Sequence, residues 1–142
     1  MVVYLDSSLA LRHILLGEAE IEKAFHTGPV FSSELLEIEC RRVLQRYRLE
    51  GQLTDEQLIT ALDRLERLLK GINLMVLSSE IKKRAMGAFP VVVKTLDALH
   101  LSSALALAYK HPEKELHLFS HDRGMNLCAK ALSLQAPLLE QK

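Results

Sequence analysis

The chain has 142 residues, 49% hydrophobic and 25% charged, which fits a globular protein with one domain spanning residues 1–142. Eighteen basic and eighteen acidic side chains cancel, so net charge gives no general attraction to nucleic acid or to membranes. No apolar run approaches the ~18 residues that span a bilayer. The chain starts MVVYLD, with no secretory leader before its first apolar run, and the expected location is cytoplasmic.

Residues 2–5, VVYL, read as a short buried strand. Ser8 to Leu16 have helical spacing and end at Gly17. A second helical segment runs from Glu18 to His26 and stops at Thr27-Gly28-Pro29. Pro29 to Phe31 is the second strand. Ser32 or Ser33 can cap a long helix that ends near Glu50 and Gly51. Thr54 and Gln57 form a capping-box pair for the next helix, which reaches Lys70.

Asn73 to Leu77 is a third strand, and Ser79 to Ala88 a short helix broken by Pro90. KTLDALHLSSALALAY is a Leu- and Ala-rich helix closed by His111-Pro112. Leu116 to Phe119 is a fourth strand, Asp122 to Leu132 a helix, and Ala136 to Leu139 a candidate fifth, edge strand. Strands alternating with helices imply an α/β fold: a three-layer α/β/α sandwich on a mainly parallel sheet of four or five strands. A helical hairpin, 33–70, is inserted after the second strand. Cys40 and Cys128 fall in helical patterns and read as small core residues.

In such sheets ligands sit outside the carboxyl ends of the strands. Asp6 directly follows VVYL, and Asp122 lies two residues beyond Ser120 after the fourth strand. Glu39 shares a helix stripe with Leu35, Leu36 and Val43. Asp97 shares one with Val93, Leu101, Ala104 and Leu105. Each acid has a plain alternative. Asp6 and Asp122 can cap the helices after them, Glu39 can pair with Arg42, and Asp97 can answer the helix dipole. Glu34 and Glu37 read as solvated.

Converging carboxylates cannot all stay ionised without a counter-charge: pKa values rise or a cation binds. Oxygen ligands select hard ions, Mg²⁺ or Mn²⁺. His100, one turn after Asp97, reads as a hydrogen-bonded histidine rather than a ligand. An acidic metal cluster without a nucleophilic Cys or Ser suits phosphodiester hydrolysis. Arg41, Arg42, Arg46, Arg48, Lys82, Lys83, Arg84, Lys94 and Arg123 are candidate contacts for RNA, though any single one reads more readily as a solvated charge.

The segments YLDSS, ELLEIECRR, TLDALHLSSA and FSHDRGMNLCAKA, in this order, resemble the signature segments of PIN-domain ribonucleases. More narrowly they resemble VapC-type toxins of toxin–antitoxin modules. The resemblance implies an endoribonuclease using one or two Mg²⁺ or Mn²⁺ ions, with Asp6, Glu39, Asp97 and Asp122 as its acids. It places Ser7, Ser120 and Arg42 on supporting positions. It also implies a homodimer and an antitoxin partner covering the active site. Ser133 stands near a usual glycine, and His121 where an aromatic or small residue is frequent.

Receiver and HAD-phosphatase readings fail on residues. Asp6 is followed by Ser7-Ser8, not by a second acid in the required place, and the third strand ends in Leu77-Ser78-Ser79. The remaining alternative is a catalytically inactive PIN-like module that binds RNA or protein. In the catalytic reading Asp6 and Asp97 hold the ion, while Asp122 and Glu39 complete the cluster or orient the attacking water. In-line attack leaves 5′-phosphate and 3′-hydroxyl ends. Leu58, Ile59, Leu62, Leu65 and Leu69 form an apolar stripe suited either to dimer and antitoxin contact or to packing within the chain.

Overall fold

Alternation along the first strand decides the layering. The computed structural model describes residues 1–139. β1 (Val2–Leu5) is buried at all four positions. Val3 and Leu5 point into one hydrophobic cluster and Val2 and Tyr4 into another. A strand covered on both faces needs no polar alternation, which explains the continuous VVYL run. Each such side chain contributes about 1.5–3 kcal/mol by leaving water.

β2 (Val30–Ser33), β3 (Asn73–Met75) and β4 (Leu116–Phe119) join β1 in a wholly parallel sheet of order β3-β2-β1-β4. Val3 pairs with Val30 on one side and His117 on the other. The first face carries α1 (Ser7–Leu16), α2 (Ile21–Thr27), α3 (Leu35–Leu49) and α4 (Asp55–Lys70). The other carries α6 (Thr95–Lys110) and α7 (Arg123–Ala131), with α5 (Ser79–Ala85) packed on α6. The expected α/β/α sandwich is therefore the fold.

Chain order reverses beside β1. β2 and β3 build outward from one edge of it, and the chain then crosses to place β4 on the other. This reversal opens a crevice above the carboxyl ends of β1 and β4, where the chain puts Asp6 and Ser120-His121-Asp122.

Local signals hold where they were strongest. The Thr54–Gln57 capping box forms at both bonds, 3.1 and 2.9 Å. Gly17 ends α1 at φ 70°. Cys40 and Cys128 are buried and free.

Three expectations change. The fifth strand does not form: Gln135 makes a single parallel bridge to His117, and residues 137–139 turn away. Pro137 has no N–H with which to extend the ladder. Glu34 is not simply solvated, because its carboxylate accepts the backbone N–H of Leu77 just past β3. The stripe on α4 is spent inside the chain. Leu65 is fully buried, and Leu58, Leu62 and Leu69 pack against the same core, leaving Ile59 66% exposed.

Candidate active site

Asp6 sits at the N-cap of α1, yet its side chain caps nothing. Its Oδ2 accepts from two hydroxyls instead, Ser8 Oγ and Ser120 Oγ, each at 2.8 Å. Ser120 Oγ in turn accepts the backbone N–H of Asp122 at 2.9 Å. Ser8 Oγ accepts that of His121 at 2.9 Å. The two strand ends are thereby locked together, and Asp6, 3% exposed, is held in one orientation.

Asp122 performs its capping role. Its Oδ1 accepts the N–H of Met125 at 2.8 Å, while the residue stays exposed. The capping reading holds, one oxygen being committed to the cap.

Glu39 does not pair with Arg42. Its Oε1 accepts from His100 Nε2 at 2.6 Å and its Oε2 from Ser7 Oγ at 3.2 Å. His100 is fully buried. Its Nδ1 shares a 2.7 Å hydrogen bond with the Tyr4 hydroxyl, and its Nε2 lies 4.0 Å from Asp6 Oδ1. Burial alone would lower the His100 pKa. The hydrogen bond to Glu39 and the charges of Asp6, Glu39 and Asp97 outweigh it and raise the pKa instead. With both ring nitrogens engaged, His100 is a bonded histidine, as its sequence position suggested.

Asp97 lies in the first turn of α6. It is half-buried and has no hydrogen-bond or ion-pair partner among the described residues. Burial, then the charges of Asp6 and Asp122, and a smaller push from Glu39, raise its pKa to about 6. Only His100 pulls the other way. Hydrogen bonds link Asp6 to Ser120 and so to the backbone of Asp122, His100 stands between Glu39 and Asp6, and Asp97 feels the charges of all three acids.

Ser7 and Ser120 stand inside this network. Arg42 does not: it is exposed and makes no ion pair among the described residues, lining a shallow hollow farther along α3. Ser8, Tyr4 and His100 are network members to which sequence reasoning gave no site role. Ser8 carried one usable signal, a second hydroxyl directly after a strand-end acid. Tyr4 and His100 are 96 residues apart, and nothing local links them.

The donor set fits a hard divalent cation. It is all carboxylate oxygen, in excess of any counter-charge, with one acid pushed toward protonation. Among the described residues, no three acids, histidines or cysteines already stand in a metal-holding arrangement. Several oxygens are engaged by Ser8, Ser120, His100 and Met125. Uncompensated like charges also do not draw together unaided. Cys40 supplies no alternative nucleophile, since burial and the nearby Glu39 push its thiol up to about 12.

The fold is a parallel α/β/α sandwich whose strand order reverses beside β1, with Asp6 and Asp122 just past the ends of β1 and β4. The PIN domain family model matches residues 3–130, and the chain belongs to that family. No curated protein matches it by sequence. Among solved structures it is similar to a chain of the VapBC2 complex from Rickettsia felis, crystallised with a DNA fragment from their promoter. The TM-score is 0.63 at 11% identity, over 86% of this chain and 88% of that one, a likeness of fold.

Proposed function

We propose that the chain is a Mg²⁺- or Mn²⁺-dependent endoribonuclease, acting in the cytoplasm as the toxin of a toxin–antitoxin pair. One observation carries this reading: Asp97 is half-buried with no hydrogen-bond or ion-pair partner among the described residues, and burial with the charges of Asp6, Asp122 and Glu39 raises its pKa to about 6 against the opposing charge of His100. A fold keeps such an unfavourable cluster where function requires it.

Asp6, Asp97 and Asp122 would hold the ion, presenting oxygens outside the Ser8, Ser120 and Met125 bonds. When bound, a hard divalent ion lowers the pKa of water and stabilises charge on the transferring phosphoryl group. Glu39, fixed by His100 and Ser7, orients the attacking water for in-line displacement. The products are then 5′-phosphate and 3′-hydroxyl ends. Lys94, directly before α6, and Arg123, directly after Asp122, flank the cluster and suit the RNA backbone.

A second hollow, about 550 Å³, lies between α1 and the α3–α4 hairpin. Leu11, Leu15, Val43 and Leu53 give it apolar walls, with Arg12 and Arg46 beside them. It suits an apolar segment of an antitoxin. Met86 and Val92, 83% and 97% exposed, offer an apolar corner before α6 for a homodimer. No helix among the described residues is long and apolar enough to cross a membrane.

Incubation of a mixed RNA pool with Mg²⁺, with EDTA and with the Asp97→Asn protein tests the activity. Metal-dependent cleavage that the substitution abolishes is expected. Cleavage surviving EDTA, or ends carrying 2′,3′-cyclic phosphate, would overturn it. Among the described residues no metal-holding trio is preformed, which supports a second reading, an inactive PIN-like module, for which RNA or partner binding without cleavage would be the signature.

A further inference from the structure

Beside the acids lies a hollow of about 380 Å³, lined by Arg12, Glu20, His121, Arg123, Asn126 and Leu138 among others. His121 and Arg123 flank Asp122 in the chain, so this hollow opens next to Asp122.

Asn126 is the informative residue. It is 3% exposed. Its backbone N–H donates to Asp122 O at 3.0 Å and its Nδ2 to Ser120 O at 2.9 Å. Its Oδ1 is buried and has no hydrogen-bond partner among the described residues. Buried acceptors are almost always satisfied, and one that is not marks a place where an outside donor belongs.

Cations stand at the same hollow. Arg123 is exposed and makes no ion pair among the described residues. Arg12 shares only a loose, exposed pair with Glu18 at 3.7 Å. The one acid of the lining, Glu20, is met by His121 Nε2 at 3.2 Å. Guanidinium groups call for phosphate, and an unmet carbonyl oxygen calls for a hydroxyl or amino donor. A nucleotide carries both.

We propose that this hollow is a nucleotide subsite. It seats an RNA nucleotide beside the cut, with phosphate on Arg123 and Arg12 and a donor on Asn126 Oδ1. The donor is the ribose 2′-hydroxyl or a base amino group. The proposal rests on the ribonuclease reading and extends it to substrate recognition.

The test uses a short RNA spanning a cleavage site, bound by full-length protein carrying Asp97→Asn to silence cleavage. Each position is changed in turn to 2′-deoxy, and each amino-bearing base in turn to uridine. One such change beside the cut is expected to weaken binding about tenfold, its kind identifying the donor. Adding Asn126→Leu should cost the same tenfold and remove sensitivity to that change. Adding Arg123→Gln should weaken every oligonucleotide alike, about three- to tenfold, and flatten the salt dependence.

Unaltered sensitivity in the Asn126→Leu protein overturns the proposal. So does unaltered affinity in the Arg123→Gln protein, whose exposed site leaves folding intact. Loss of affinity for an acidic peptide alone, with RNA unaffected, makes the hollow a protein site and also overturns it. Wild-type cleavage with insensitive variants sinks the subsite and spares the nuclease. The expected binding pattern without any wild-type cleavage does the reverse.

Discussion

Asp97→Asn should make the metal-free protein more stable while making it useless. Ionised Asp97 is disfavoured in the fold, its pKa standing at about 6 against an ordinary 3.8. Two pKa units correspond to about 3 kcal/mol. The group is half-buried, and the substituted amide still loses water, so we expect a gain of about 2 kcal/mol at pH 7.5 in EDTA. For a chain of this length that is roughly 6–8 °C in Tm.

The sign with pH follows from a raised pKa. The folded protein binds the proton more tightly than the unfolded chain, so wild-type stability falls as pH rises from about 4 through about 6. Below that window both proteins are neutral at position 97 and should melt together. His100 is also raised and loses its stabilising contribution as pH climbs through its folded pKa, but both proteins carry it, so it cancels in the difference. Mg²⁺ or Mn²⁺ at a hundred times Kd adds about 2.7 kcal/mol to the wild type and little to the variant, closing the gap. Thermal melts across pH, in EDTA and in metal, read all of this. A variant that melts earlier than the wild type in EDTA at pH 7.5, or a gap that persists unchanged at pH 4, would refute the reasoning.

Other outcomes are as specific. Ser120→Ala removes the donor to Asp6 Oδ2 and the acceptor for Asp122 N–H; denaturant unfolding should show a loss of about 1–3 kcal/mol, and Mn²⁺ titration a weaker site. Leu65→Ala on α4 should cost about 2–5 kcal/mol, whereas Ile59→Ala should stay within about 0.5 kcal/mol; equal costs would contradict the inward placement of the stripe. Ser133→Gly should stabilise by about 0.5–1 kcal/mol, because Ser133 holds φ at 67°; a destabilised variant would show that its side chain contributes more than the backbone strain costs.

The sheet was legible because its strands are short apolar runs punctuated by Gly, Pro and capping residues. The four acids stand out in the sequence because each breaks a local rule: a carboxylate at a strand end, or one on an apolar helix stripe. Ser133 stands near a position where the resemblance expects glycine, and its backbone takes φ 67°. What was not legible depends on distant partners. One reading paired Glu39 with Arg42, three positions on, but its partner is His100, 61 positions away. The stripe on α4 carried no label saying which surface would cover it, and α1 does. Asn126 reads as an ordinary polar helix residue until the fold buries it against Ser120.

The order in which the strands enter the sheet has a consequence for synthesis. Asp6 emerges from the ribosome early, but the hydroxyl of Ser120 that fastens it, and the last acid, arrive more than a hundred residues later. A nascent or prematurely ended chain lacks an assembled centre. On the proposed ribonuclease reading, the chain stays harmless to the message encoding it until nearly all of its own sequence has been read.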